Sequence, residues 1–188
     1  MGTNFIIPQG YPLSGEVVEE IISAKEIRQR VREIAMEISL EYKEKNPIIV
    51  GVLNGAFIFM SDLVRELNIQ FEVDFIKISS YNDEINSSGS IKLDKDFTLL
   101  LKNRDIIVIE DIVDTGLSLK YLADKIINLS PKSLKFVTLL YKSEIASKEV
   151  PVDWSAFNIE DKFVIGYGLD LRQNYRGLSS IYAVKKER

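Results

Sequence analysis

Apolar residues return at three- and four-residue spacing through Ile27, Val31, Ile34, Ala35 and Ile38, the stripe of an amphipathic helix. Ser23-Ala24-Lys25-Glu26 places a capping-box pattern ahead of the stripe, and Asn46-Pro47 stops it. Ile48 to Leu53 then reads as a short buried strand. Gly55 to Leu67 resumes helical spacing through Ala56, Phe59, Met60, Leu63 and Leu67. Phe71, Val73 and Phe75 alternate with Glu72 and Asp74, as in a half-buried strand. Ile106 to Ile109, Leu134 to Tyr141 and Phe163 to Leu169 are further strand candidates, and helical spacing follows Gly116 through Leu119, Leu122, Ala123, Ile126 and Ile127.

Strands that alternate with helices predict an α/β fold: one domain with a mostly parallel central sheet flanked by helices. Ligands of such sheets bind outside the carboxyl ends of the strands. The segment 79–93, SSYNDEINSSGSIKL, breaks the pattern because it is polar and rich in Ser and Asn. Its length fits a mobile lid over a site or a plain surface hairpin.

Composition narrows the chemistry more than it narrows the fold. The 188 residues, 46% of them apolar, suffice for one sizeable core. With no Cys and no His, the chain has no disulfide, no thiol nucleophile, no Ser-His-Asp triad and no zinc site of the usual kind. Asp, Glu, Lys, Tyr and hydroxyls remain, with any hard cation that carboxylates hold, which points toward magnesium. A net charge of −4 with interspersed signs argues against nucleic acid as a partner. The N-terminus lacks a basic segment and an apolar core, and no run approaches the roughly 20 apolar residues of a membrane span, so a cytoplasmic protein is expected. Met1-Gly2 opens a myristoylation pattern that Ile6 does not continue.

The densest chemistry lies in IIVIEDIVDTGLS, from Ile106 to Ser118. A β-branched apolar run ends in Glu110-Asp111, and Asp114-Thr115-Gly116 leads into a helix. Backbone N–H groups and hydroxyls of Thr115, Gly116 and Ser118 at that helix start form a phosphate cradle, with the positive end of the helix dipole behind it. The Lys and spacing of a Walker-type loop are missing. Carboxylates accept hydrogen bonds from vicinal hydroxyls, so a ribose 5-phosphate satisfies both halves of the motif. The bland alternative makes Asp114 a helix cap and Glu110 and Asp111 a strand end.

IVIEDIVDTG resembles the phosphoribosyl-pyrophosphate motif of type I phosphoribosyltransferases. GVLNGAFIFMSDL, SSY…SSG, LLYK and FVIGYGLD…YR resemble the hypoxanthine-guanine branch of that family, in the same order. The resemblance implies the family's fold, with a small hood formed by residues 1–22 and 150–188 and a flexible lid at 79–93. It implies that Glu110 and Asp111 hold the ribose hydroxyls, and that Asp114, Thr115, Gly116, Leu117 and Ser118 surround the 5-phosphate. Asp114 would also be the catalytic base facing purine N7. Lys142 would donate to the oxygen at purine C6, Phe163 would stack on the base, and the Val164 carbonyl would face the C2 side. Asp170 corresponds to an aspartate at the purine and magnesium site, with Glu110 and Asp111 as further metal ligands. Leu53, Asn54, Gly55, Ser80, Tyr81 and Arg176 would bind pyrophosphate.

The reaction so implied is magnesium-dependent transfer of the 5-phosphoribosyl group from phosphoribosyl pyrophosphate to hypoxanthine or guanine. Its products are IMP or GMP and pyrophosphate, and the resemblance further implies a homodimer or homotetramer. Family relatives often carry a non-proline cis peptide before the glycine of the Leu53-Asn54-Gly55 turn, where a Cβ on Gly55 is expected to crowd the turn and the diphosphate. Two departures stand out: many relatives have a basic residue at Asn54, and some have Lys at Leu117. Two rival readings are a nucleotide-sensing, RNA-binding regulator on the same fold, disfavoured by the acidic charge, and a receiver-like domain phosphorylated on Asp111 or Asp114. The latter leaves FVIGYGLD and the Ser-rich loop unexplained.

Overall fold

The structure is a computed structural model and describes residues 4–80, 91–147, 149 and 151–184. In chain order its elements are β1 (Asn4–Ile6), β2 (Val17–Ile22), α1 (Ala24–Glu41), β3 (Ile48–Leu53), α2 (Phe57–Glu66), β4 (Glu72–Ser80), β5 (Ile91–Lys95), β6 (Asp105–Val113), α3 (Leu117–Ile127), β7 (Ser133–Tyr141), β8 (Trp154–Asn158), β9 (Val164–Ile165) and β10 (Ile181–Val184). The predicted capping box forms: the Glu26 N–H donates to Ser23 Oγ, and the Ser23 N–H donates back to Glu26 Oε2 at 2.9 Å.

Six strands in the order β5-β4-β3-β6-β7-β8 make the central sheet. All its pairings are parallel except that of β4 with β5. Successive side chains of a strand point to opposite faces, so β6 serves two cores. Ile107 and Ile109 pack with α1 and α2, while Ile106 and Val108 pack with α3. That double burial is why the strand reads as an unbroken β-branched run. A separate four-stranded sheet, β1-β2-β10-β9, is wholly antiparallel and carries its own small core of Ile7, Val18 and Ile165.

Three expectations need correction. Val73 is exposed, and Asp74 is buried instead. Asp74 turns inward because its carboxylate accepts the N–H groups of Phe75, Thr98 and Leu99 at 2.7–2.8 Å. The candidate strand 163–169 shrinks to Val164–Ile165 in the small sheet, because Gly166, Tyr167 and Gly168 adopt left-handed φ. Trp154–Asn158, inside the segment assigned to the hood, is instead the edge strand of the central sheet, parallel to β7. Both ends of 79–93 are strand: Ser79 and Ser80 pair antiparallel with Lys92 and Ile91. Residues 81–90, Tyr81 among them, lie outside the described residues.

Candidate active site

Parallel strands deliver their carboxyl ends to one edge of the sheet, and the predicted residues gather there. The end of β3 supplies Leu53-Asn54-Gly55, β6 supplies Glu110 to Val113, and Lys142 follows β7 directly. Between β6 and α3, the turn is closed by Gly116, the helix N-cap, at φ 84°. No side chain caps α3, so Asp114 is not a helix cap. Apart from the Leu117 N–H, which donates to Thr115 Oγ1 at 3.5 Å, the first-turn N–H groups border a cavity of ≈ 210 Å³ lined by Glu110, Asp114, Thr115, Gly116 and Ser118. Leu117 is exposed and lines no part of it with its side chain. Behind the turn, the Ser147 N–H donates to the Thr115 carbonyl at 2.9 Å, a brace that the sequence did not reveal.

Lys142 is not the solvated cation that its place at a strand end suggests. It is buried, with Nζ 2.8 Å from Asp161 Oδ1 and 3.2 Å from Asp114 Oδ2. Burial alone would lower the pKa of Lys142, but its hydrogen bonds to Asp161 and Asp114 outweigh that and hold it above the usual lysine range. An ammonium has three donors, so these two partners leave one for a ligand. Asp161 was not singled out from the sequence; its place two residues before Phe163 in EDKF was the only available signal.

Glu110, buried, and Asp111, half-buried, form an acidic pair. Burial first, and the Asp111 charge second, push Glu110 well above the carboxylate range, and its Oε2 has no hydrogen-bond partner. Burial pushes Asp111 up to about 6, although the Ile112 N–H donates to its Oδ1 at 2.9 Å. An atom so placed awaits a donor or a cation.

A second cavity of ≈ 220 Å³ adjoins the first, sharing Glu110, Asp111 and Ser118 with it. One wall is Leu53, Asn54 and Gly55, and the other is Asp170 and Arg176. Arg176 Nη2 pairs with Asp170 Oδ1 at 2.7 Å, and Nη1 donates to the Gly168 carbonyl at 2.6 Å. The Leu53–Asn54 peptide is cis. Gly55 also has a constraint that the sequence did not reveal: a Cβ there would lie 1.6 Å from Asp111 Oδ2. Ser79 lines this cavity. Phe163 and Val164 line neither cavity: Phe163 is half exposed, not a core residue, and Val164 is buried in the small sheet.

Glu110, Asp111 and Asp170 offer only oxygen donors, the kind a hard cation takes, but they do not converge as one three-carboxylate set. Among the described residues no cluster of three or more metal-ligating side chains occurs. A cation here would therefore complete its shell from water and ligand oxygens, the arrangement magnesium adopts.

The model of the phosphoribosyl transferase domain matches residues 17–172. The chain is 43% identical over 173 residues to the hypoxanthine-guanine phosphoribosyltransferase of Dictyostelium discoideum, covering 90% of this chain and 96% of that one. It is 40% identical over 175 residues to the bifunctional protein TilS/HprT of Listeria monocytogenes, where it covers 93% of itself but spans only 27% of the relative. Among solved structures, a hypoxanthine-guanine phosphoribosyltransferase from Bacillus anthracis superimposes with a TM-score of 0.83 at 36% identity, covering 88% of this chain and 98% of that one.

Proposed function

The chain belongs to the phosphoribosyl transferase domain family, in its hypoxanthine-guanine branch. From that premise we propose that it serves purine salvage by moving a 5-phosphoribosyl group from phosphoribosyl pyrophosphate to hypoxanthine or guanine. The observation that carries this reading is Lys142, a buried ammonium paired with Asp114 at the rim of a helix N-terminal anion cradle. It joins a donor for a 6-oxo group to a carboxylate and to a phosphate site.

The 5-phosphate sits at the start of α3, on the N–H groups and hydroxyls of residues 115–118. Ribose hydroxyls donate to Glu110 and Asp111, giving Glu110 Oε2 the partner it lacks. Lys142 donates to the purine C6 oxygen, with Phe163 against the ring and the Val164 carbonyl toward C2. Diphosphate lies between the Leu53-Asn54-Gly55 turn and Arg176. Purine N9 bonds to the anomeric carbon while the bond to pyrophosphate breaks, its electron pair leaving with the diphosphate. Asp114 takes the N7 proton that the base must lose. Asp170, with Glu110 and Asp111, would hold magnesium, which when bound supplies charge neutralisation on the leaving diphosphate.

No helix among the described residues is long and apolar enough to cross a membrane. We place the enzyme in the cytoplasm as a homodimer or homotetramer. Incubation with radiolabelled hypoxanthine, guanine, xanthine or adenine, phosphoribosyl pyrophosphate and magnesium tests the reading. Labelled IMP and GMP are expected, without AMP, because the adenine amino group offers Lys142 no acceptor. Efficient adenine turnover would sink the assignment of Lys142, and no turnover of any base would sink the enzyme.

A further inference from the structure

Tyr167 occupies a position that its residue type disfavours. It has φ 49° between two left-handed glycines, Gly166 at φ 103° and Gly168 at φ 100°. A bulky residue in that region is an outlier, so something must hold it there. Its ring is buried, and its hydroxyl donates to Asp62 Oδ2 at 2.6 Å. Burial first, then Asp62, raises the phenol pKa, so Tyr167 remains a hydrogen-bond donor at every working pH.

Neither residue lines the second cavity, but each sits on a segment that carries one of its walls. Asp62 lies on α2, the helix that starts two residues after Gly55. Tyr167 lies in the turn that leads to Asp170, and the next residue, Gly168, receives the Arg176 guanidinium on its carbonyl. The walls meet so closely that a Cβ on Gly168 would fall 2.1 Å from the Gly55 carbonyl oxygen. The approach of the backbones limits how near the walls can come, and the Tyr167–Asp62 bond limits how far they can part. We infer that Tyr167 and Asp62 are positioning residues that fix the separation of the Gly55 and Arg176 walls and so tune the diphosphate subsite. The inference rests on the transferase reading for the identity of that ligand. Neither side chain reaches the reacting atoms; both act through the walls.

Steady-state kinetics on Tyr167→Phe, with melting temperatures and calorimetric titration of magnesium pyrophosphate, tests this. The KM for phosphoribosyl pyrophosphate and the Kd for pyrophosphate should each rise roughly 3- to 10-fold, the net worth of one ordinary hydrogen bond. The KM for hypoxanthine should stay within about two-fold, since the purine contacts are untouched. Asp62→Ala should reproduce the effect, and the double variant should add nothing to it. Asp62→Asn keeps a carbonyl acceptor for the phenol and should restore the wild-type split. An unchanged KM for phosphoribosyl pyrophosphate, or equal rises in both KM values with a lower Tm, would overturn the inference. Should Tyr167→Phe fail to fold, Asp62→Ala at its half-buried site carries the same comparison. Wild-type protein that turns over no base would defeat the transferase reading instead, while the pyrophosphate titration would still judge the wall spacing.

Discussion

At the scale of single residues, Gly55 shows how a site glycine earns its place through a neighbour. Because a Cβ there would meet Asp111 Oδ2 at 1.6 Å, even Gly55→Ala must swing the Asp111 carboxylate off the ribose position. We expect Gly55→Ala to raise the KM for phosphoribosyl pyrophosphate by roughly tenfold or more, the range for losing charge-assisted contacts. Asn54→Ala should change it by only about two- to threefold, since among the described residues only the Asn54 backbone carbonyl, and not its side chain, takes part in a hydrogen bond. The reverse order in steady-state kinetics would make the Asn54 side chain the ligand. Asp114→Asn should keep substrate binding and lower kcat by roughly 10² to 10⁴, the usual span of a general base; pre-steady-state rates check it. The acids, the Thr-Gly turn and the Leu53-Asn54-Gly55 junction were legible in the sequence because each is local. Lys142 was legible only through the resemblance of LLYK, and its pairing was not, since Asp161 returns to it from 19 residues away.

At the scale of elements, β4 shows where alternation misleads. Pattern reading assigns the charged face to solvent, yet Asp74 is buried and Val73 exposed, because three N–H groups near the β5 edge lack ladder partners and Asp74 supplies them. Burial pushes the Asp74 pKa up, but the N–H groups of Leu99, Phe75 and Thr98 outweigh it and hold it below the usual 3.8. A folded pKa below the unfolded one contributes stability that is present above about pH 4 and lost as pH falls through the folded value. Asp74→Asn should therefore cost about 1.5–3 kcal/mol at pH 7, as for hydrogen bonds to a charged group. Urea unfolding at pH 7 and pH 3 should show the gap between variant and wild type closing at the lower pH. A gap that stays constant with pH would mean that shape, not charge, holds the 96–99 turn. Strand candidates failed elsewhere for a simpler reason: β1 has 3 residues and β9 has 2, too few for a period to appear.

At the scale of the whole molecule, the two sheets stand in different relations to the site. The central sheet was legible because its strands are long and buried on both faces. The small antiparallel sheet joins chain ends far apart in sequence, β2 with β10, and nothing local announces that pairing. The site between them is a place of stored instability: Glu110 is buried, Asp111 beside it is half-buried, each is pushed upward, and Glu110 Oε2 is unpartnered. Carboxyls whose charged form burial disfavours oppose folding until a ligand supplies donors, so the ligand-free protein is less stable than its core allows. Glu110→Gln removes the group whose ionisation burial opposes and keeps the shape. It should raise the melting temperature of the ligand-free protein by several degrees, at about 2–4 °C per kcal/mol for a chain of this size. Wild-type protein saturated at about 100 times the Kd of phosphoribosyl pyrophosphate with magnesium gains about 2.7 kcal/mol by mass action. The variant, lacking the ionised acceptor for the ribose hydroxyls, should gain less at the same concentration. Thermal melts of both proteins with and without ligand decide the matter. A lower ligand-free Tm in Glu110→Gln would show that the carboxylate pair supports the fold, and that Glu110 is a structural residue before it is a ribose ligand.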